Sequence, residues 1–154
     1  MRILLDTNIL ARAATPNPGP ARALLLKVTE DPHVLVLSGY ILSELSRILR
    51  YERVRPLHGL TDAGIDQYLA DLQSVGVTME LPNGPIAPIV PHDPADDGII
   101  ATAIAGQADI LCTRDRHFHH PEVRTHCETR GIRVLTDLEL LELLRDQSGT
   151  KNAE

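Results

Sequence analysis

The sequence has no tryptophan, a single phenylalanine (Phe118) and three tyrosines in 154 residues. A core built almost without aromatics has to come from Leu, Ile, Val and Ala, a composition suited to sheets covered by helices. The same scarcity argues against a broad stacking platform for nucleobases. Cysteine is nearly absent as well: Cys112 and Cys127 give no disulfide framework, and an intracellular compartment would keep both reduced. No apolar run approaches the roughly 18 residues of a membrane span, and the opening segment meets a charge too soon to resemble a secretory signal. A soluble, cytoplasmic protein with no membrane partner is expected.

Missing motifs narrow the chemistry. There is no GxxxxGK[ST] loop for nucleoside triphosphates, no GxGxxG after a strand for dinucleotides, and no GxSxG nucleophile elbow. Lysine occurs only at Lys27 and Lys151, so none follows a late strand as a phospho-receiver domain requires. A phosphatase of the haloacid-dehalogenase kind would carry a second aspartate where this chain has Asn8.

The formal net charge of −6 argues weakly against a polyanionic partner, but it is unevenly spread. Residues 1–60 hold eight Lys or Arg against five Asp or Glu, whereas residues 61–154 hold seven against sixteen. The basic excess includes Arg47, Arg50, Arg53 and Arg55 in one short stretch, readable as a phosphate-binding face or as a solvated helix flank.

Strand and helix signals alternate along the chain. A strand ends at Leu5, and an apolar helical stretch follows around Ile9 to Ala13. Pro20 opens a helix over ARALLLKVT, HVLVLS forms a second strand, and Ser38 is placed to cap the helix GYILSELSRILRY. Thr61 or Asp62 starts a further helix that Gly76 ends, before a short strand in VTMEL. Beyond the loop PNGPIAPIVP, Asp93 is the N-cap candidate, with Pro94 at the first position of a helix running to about Gly106. DILCT and GIRVLT are strands, and Thr136 with Glu139 forms a capping box for the last helix. This order predicts one α/β domain over residues 1–146, a parallel sheet with helices on both faces, and a polar, frayed tail over 147–154. Active sites of such sheets lie beyond the carboxyl ends of the strands.

Four acids occupy places this architecture can bring together. Asp6 ends the first strand, Asp115 follows DILCT by two residues, Glu44 lies on the helix after the second strand, and Asp97 lies in the first turns of the helix before DILCT. Clustered carboxylates repel and raise one another's pKa unless they are protonated or paired. A hard divalent ion, Mg²⁺ or Mn²⁺, resolves that conflict and can activate water against a phosphodiester. Each acid also has a plainer reading. Asp6 suits a turn, Glu44 can pair with Arg47, Asp97 is favoured by a helix dipole, and Asp115 can pair with Arg114 or Arg116.

The segments LLDTNIL, LSGYILSELSRIL, DPADDGIIATAIAGQADILCTRD and GIRVLTDLELLELL, in that order, resemble the successive motifs of PIN-domain ribonucleases, particularly bacterial toxins of toxin–antitoxin pairs (VapC-like). The resemblance implies a three-layer α/β/α sandwich with a central, mainly parallel sheet, and a metal-dependent endoribonuclease acting on exposed RNA. It assigns Asp6, Glu44, Asp97 and Asp115 to the acidic Mg²⁺ or Mn²⁺ site. Asn8 would support that site by hydrogen bonding to an acid, and Thr113 through its hydroxyl. Asp93 is assigned to the helix cap and Asp96 to a solvated or capping role. Where many relatives carry Asp or Asn, this chain has His117. Arg47, Arg50, Arg114 and Arg116 are the candidate contacts to the RNA backbone. An antitoxin partner and a homodimer are family expectations. HFHHPEVRTHC matches no usual structural zinc spacing and is expected to be a solvent-facing loop. The competing function is a catalytically inactive PIN-like module that binds RNA or protein.

Overall fold

Ile3, Leu4 and Leu5 are fully buried on both faces of the chain, as the central strand of a parallel sheet requires. In the computed structural model, which describes residues 1–82 and 97–152, β1 (Arg2–Leu5) lies between β2 (Val34–Ser38) and β4 (Ile110–Cys112). β3 (Val77–Met79) and β5 (Arg133–Leu135) form the edges, giving the order β3-β2-β1-β4-β5 with every pairing parallel. Leu5 stands opposite Cys112 and Cys112 opposite Leu135, so three strands end in step.

Helices cover the sheet. α1 (Thr7–Ala13) packs on α2 (Pro20–Val28) and α3 (Gly39–Leu49); α3 also meets α5 (Asp62–Val75) and α6 (Asp97–Ala105). α4 (Arg55–His58) is a single turn, α7 (Pro121–Glu128) lies against β5, and α8 (Asp137–Asn152) against α2. The result is the expected three-layer arrangement. Among the described residues, no helix is long and apolar enough to cross a membrane.

Capping chemistry places several boundaries where the sequence puts them. Ser38 Oγ accepts from the Ile41 amide at 3.2 Å, and Thr61 Oγ1 from the Gly64 amide at 3.1 Å. Thr136 and Glu139 exchange the two bonds of a capping box at 3.1 and 3.2 Å. On α3, Ile41, Leu42, Leu45 and Leu49 turn inward, leaving Tyr40, Glu44 and Arg47 along the other face.

The expected solvent-facing loop at HFHHPEVRTHC is instead a 3₁₀ turn (Arg116–His119) followed by α7. Phe118, Val123 and Cys127 are buried there, because their spacing places one apolar side chain per turn against the core. The last helix also runs to Asn152, into the polar stretch expected to fray. The N-cap assigned to Asp93, with Pro94 and Asp96, lies outside the described residues.

Gly106 fixes how closely α6 approaches the sheet. A Cβ there would lie 2.3 Å from Val36 Cγ1 and 3.2 Å from the Thr102 carbonyl oxygen. Val36 is a buried strand residue with no room to swing away. Gly106→Ala is therefore expected to cost about 1–3 kcal/mol of stability. The check is a lower urea midpoint at an unchanged m-value.

Candidate functional site

Because Leu5 and Cys112 are in register, the next residues of the two strands, Asp6 and Thr113, meet just beyond the sheet. The Asp6 amide donates to the Cys112 carbonyl at 2.9 Å, and the Thr113 amide to the Leu135 carbonyl at 2.9 Å, so the ladder continues one step past the strands. Thr113 Oγ1 then donates to Asp6 Oδ2 at 2.7 Å and accepts from the Asp115 amide at 3.0 Å. One buried hydroxyl thus orients Asp6 and the backbone that carries Asp115.

Asp6 is also the N-cap of α1. Its Oδ1 accepts from the Thr7 amide at 2.7 Å and the Thr7 hydroxyl at 3.2 Å. The residue is only 3% exposed. Burial pushes its carboxyl above the ordinary value, the bonds from Thr113 and Thr7 oppose that, and the charge of Asp115 adds to it. No Lys, Arg or His pairs with Asp6 among the described residues. The plainer turn reading therefore covers the hydrogen bonds and leaves the charge uncompensated.

The other acids sit on the same edge. Asp97, buried, opens α6. α6 is locked to the end of β2 by the Ser38–Thr102 hydroxyl pair at 2.7 Å and to α3 by Tyr40, whose Cε1 would lie 2.4 Å from a Cβ on Gly98. Glu44 is one turn after Tyr40, but its Oε2 accepts from Arg47 Nη2 at 2.7 Å. Arg47 also donates to the Tyr51 hydroxyl and lies over its ring, 5.5 Å from the centroid. Asp115 Oδ1 accepts from the His117 amide at 3.0 Å, with His117 Nδ1 at 3.6 Å. Its expected partner Arg114 turns instead toward Asp137, at 3.8 Å, and Arg116 is exposed.

The structure brings Asp6, Thr113 and Asp115 together. Among the described residues, however, no group of three or more His, Cys, Asp or Glu side chains converges closely enough to hold a metal ion. Asn8, expected to hydrogen-bond an acid, is exposed and its side chain makes no such bond among the described residues, while Ile9 and Leu10 take the core-facing positions of α1. Arg50, a candidate for RNA, is bound to Asp66 at 2.7 Å and approaches Asp62 at 3.6 Å.

Asp137 is the functional candidate the sequence reading passed over. Its side chain is 5% exposed, and it lies two residues past the end of β5, one step further than Asp6 lies past β1. The adjacent capping box explained the segment without it; an acid two residues past a strand end was the available signal. Cys112 lies between the two acids, and burial together with the charges of Asp137 and Asp6 keeps its thiol protonated.

A parallel α/β domain with buried and half-buried acids at the carboxyl edge of its central strands is the class this arrangement defines. The family model described as PIN domain matches residues 2–117, a span holding Asp6, Glu44, Asp97 and Asp115, and the chain belongs to that family. Among solved structures it is similar to FitAcB from Neisseria gonorrhoeae, with 22% identity and a TM-score of 0.50, over 88% of this chain and 98% of that one. That likeness bears on the fold. No curated protein sequence matches the chain significantly.

Since the folded carboxyl of Asp6 titrates above the unfolded one, its ionisation opposes folding at neutral pH. The penalty is complete above the raised folded value and vanishes as pH falls below the unfolded value. Asn caps helices as well as Asp does. In metal-free buffer, Asp6→Asn should have a higher urea midpoint than the native protein at pH 7, the gap narrowing as pH falls to 4. Thr113→Val, which strips a donor from the charged acid, should cost about 1–3 kcal/mol at pH 7. Its cost should likewise shrink in acid.

Proposed function

We propose that this protein is a metal-dependent endoribonuclease, the toxin of a toxin–antitoxin pair. The observation that carries the reading is Asp6, a buried carboxylate at the carboxyl edge of a PIN-family sheet with no cationic side chain pairing with it among the described residues. The donor chemistry fits a hard divalent ion, since every candidate ligand is a carboxylate oxygen. Asp6, Asp97, Asp115 and Glu44 would hold Mg²⁺ or Mn²⁺. When bound, such an ion supplies a water of lowered pKa and neutralises charge on a phosphodiester.

The chain's own residues prepare that setting. Thr113 fixes the rotamer of Asp6 and the backbone of Asp115, Tyr40 holds the first turn of α6 beside α3, and the apolar strand ends beneath exclude water from the floor. Glu44 is held by Arg47, a pairing that a metal would have to displace. Substrate would be unpaired RNA, whose backbone is accessible to a shallow edge site. The antitoxin partner and the homodimer rest on the sequence resemblance to toxin components.

The Glu44–Arg47 pair favours a second reading, a PIN-like module that binds RNA or protein without cleaving it, because it occupies one acid internally. Cleavage of a mixed RNA pool in Mn²⁺ separates the two. The nuclease reading expects metal-dependent cleavage by the native protein and a loss of at least about 100-fold in Asp6→Asn, the upper end of what losing even a ligand's supporting partner costs. It also expects Mn²⁺ to raise the melting temperature of the native protein and not of the variant. Equal activity in both, or none with any divalent ion, selects the binding module.

A further inference from the structure

A recess opens beside Asp6 on the β4–β5 side, lined by Asn8, Ile9, Arg12, Ala21, Arg114 and Asp137. Glu44 follows β2, on the other side of β1. Resting on the ribonuclease reading, we propose that this recess is a phosphate subsite for the RNA strand flanking the bond that is cut, with the Arg12 and Arg114 guanidinium groups and the Asn8 amide as donors.

The disposition of the arginines carries the proposal. Those of the basic stretch are largely engaged within the protein: Arg47 bonds Glu44, Arg50 bonds Asp66, and Arg55 bonds Asp62, each at 2.7 Å. Arg22, near the recess, donates to the carbonyls of Ala13 and Thr15. Arg12 is exposed and its side chain has no partner among the described residues. Arg114 is 56% exposed, and the one acid it pairs with among the described residues, Asp137, stands 3.8 Å away, too far for a hydrogen bond. Among the described residues, then, neither guanidinium group makes a side-chain hydrogen bond, and both residues are exposed. Asp137 is the one acid of the lining, and its carboxylate shows almost nothing to the recess. It aims Arg114 and leaves an excess of positive charge.

Position and shape agree with a backbone contact. Asn8 is two residues from Asp6, and Arg114 separates Thr113 from Asp115, so the wall of the recess is continuous with the acidic edge. Planar guanidinium groups bind phosphate oxygens bidentately. Among the described residues no aromatic side chain lines the recess to stack a base, and phosphate contacts position a strand without reading its sequence.

The test is binding of a fluorescein-labelled single-stranded RNA pool, followed by anisotropy in EDTA over a series of salt concentrations, so that affinity is read without cleavage. Arg12→Ala and Arg114→Ala are each expected to weaken binding about three- to tenfold and to lower the salt slope by about 0.7, the share of one single-strand phosphate. Arg114→Lys, which keeps the charge and loses the fork, should fall between. Arg133→Ala, at the opposite end of β5, should leave binding unchanged. Unfolding midpoints of the arginine variants verify that they fold. Unchanged affinity and slope in both alanine variants, with the native protein still binding and cleaving RNA, overturn the subsite alone. A loss confined to particular RNA sequences overturns it too, since that is base readout. A native protein that neither binds nor cleaves RNA overturns the parent reading.

Discussion

The Thr113 hydroxyl donates to a buried carboxylate at the end of the central strand and accepts the amide that leads to a second acid. Everything at the edge follows from that bridge. A hydroxyl can do this because it has one proton and two lone pairs, so it serves Asp6 and Asp115 at once without bringing a charge of its own. A lysine or arginine in its place would neutralise Asp6 and occupy the space a ligand needs. The protein therefore keeps a carboxylate poised above its ordinary pKa, tolerated by hydrogen bonds and opposed by burial.

The parallel sheet supplies the rest of the geometry. With every strand running the same way, all carboxyl ends share one edge, and each following helix starts there with its unpaired amides. Asp6 and Ser38 both cap a helix and close a strand, so the residues that end the strands also fix the first turns above them. Gly98 lets Tyr40 lie on α6, and Ser38 reaches Thr102 of the same helix. The helix that Asp97 opens is thereby tied to β2 and α3.

Much of this was legible in the sequence because local rules and the global fold agree. Strands read as short aliphatic runs, and Ser38, Thr61 and the Thr136–Glu139 box mark helix starts by chemistry that depends only on neighbours. What stayed hidden depends on partners distant in sequence. Phe118, Val123 and Cys127 form one buried stripe, but the histidines around them lower the hydrophobic signal, and the helix looks like a loop. The Glu44–Arg47 pair, by contrast, is local, and a spacing of three on one helix made it legible beforehand. Asp137 was hidden by the capping box beside it. It shares a recess with Asn8 and Arg12 of α1 and Ala21 of α2, far from it in sequence and not announced by its neighbours.

The chain's net charge of −6 looks ill matched to a polyanionic substrate, and the arrangement of charges removes the conflict. At physiological ionic strength the Debye length is about 8 Å, so exposed acids farther than that from the edge contribute little to the potential there. What a strand meets locally is set by the groups within contact. Arg12 and Arg114 lie on one flank of Asp6, and on the other Arg47 is balanced by Glu44. The acids of the edge repel phosphate only while their charge is uncompensated. Neutralising them and seating an anion in the recess are then coupled, each lowering the cost of the other, and affinity for a polyanion would rise with the ion that quenches the edge.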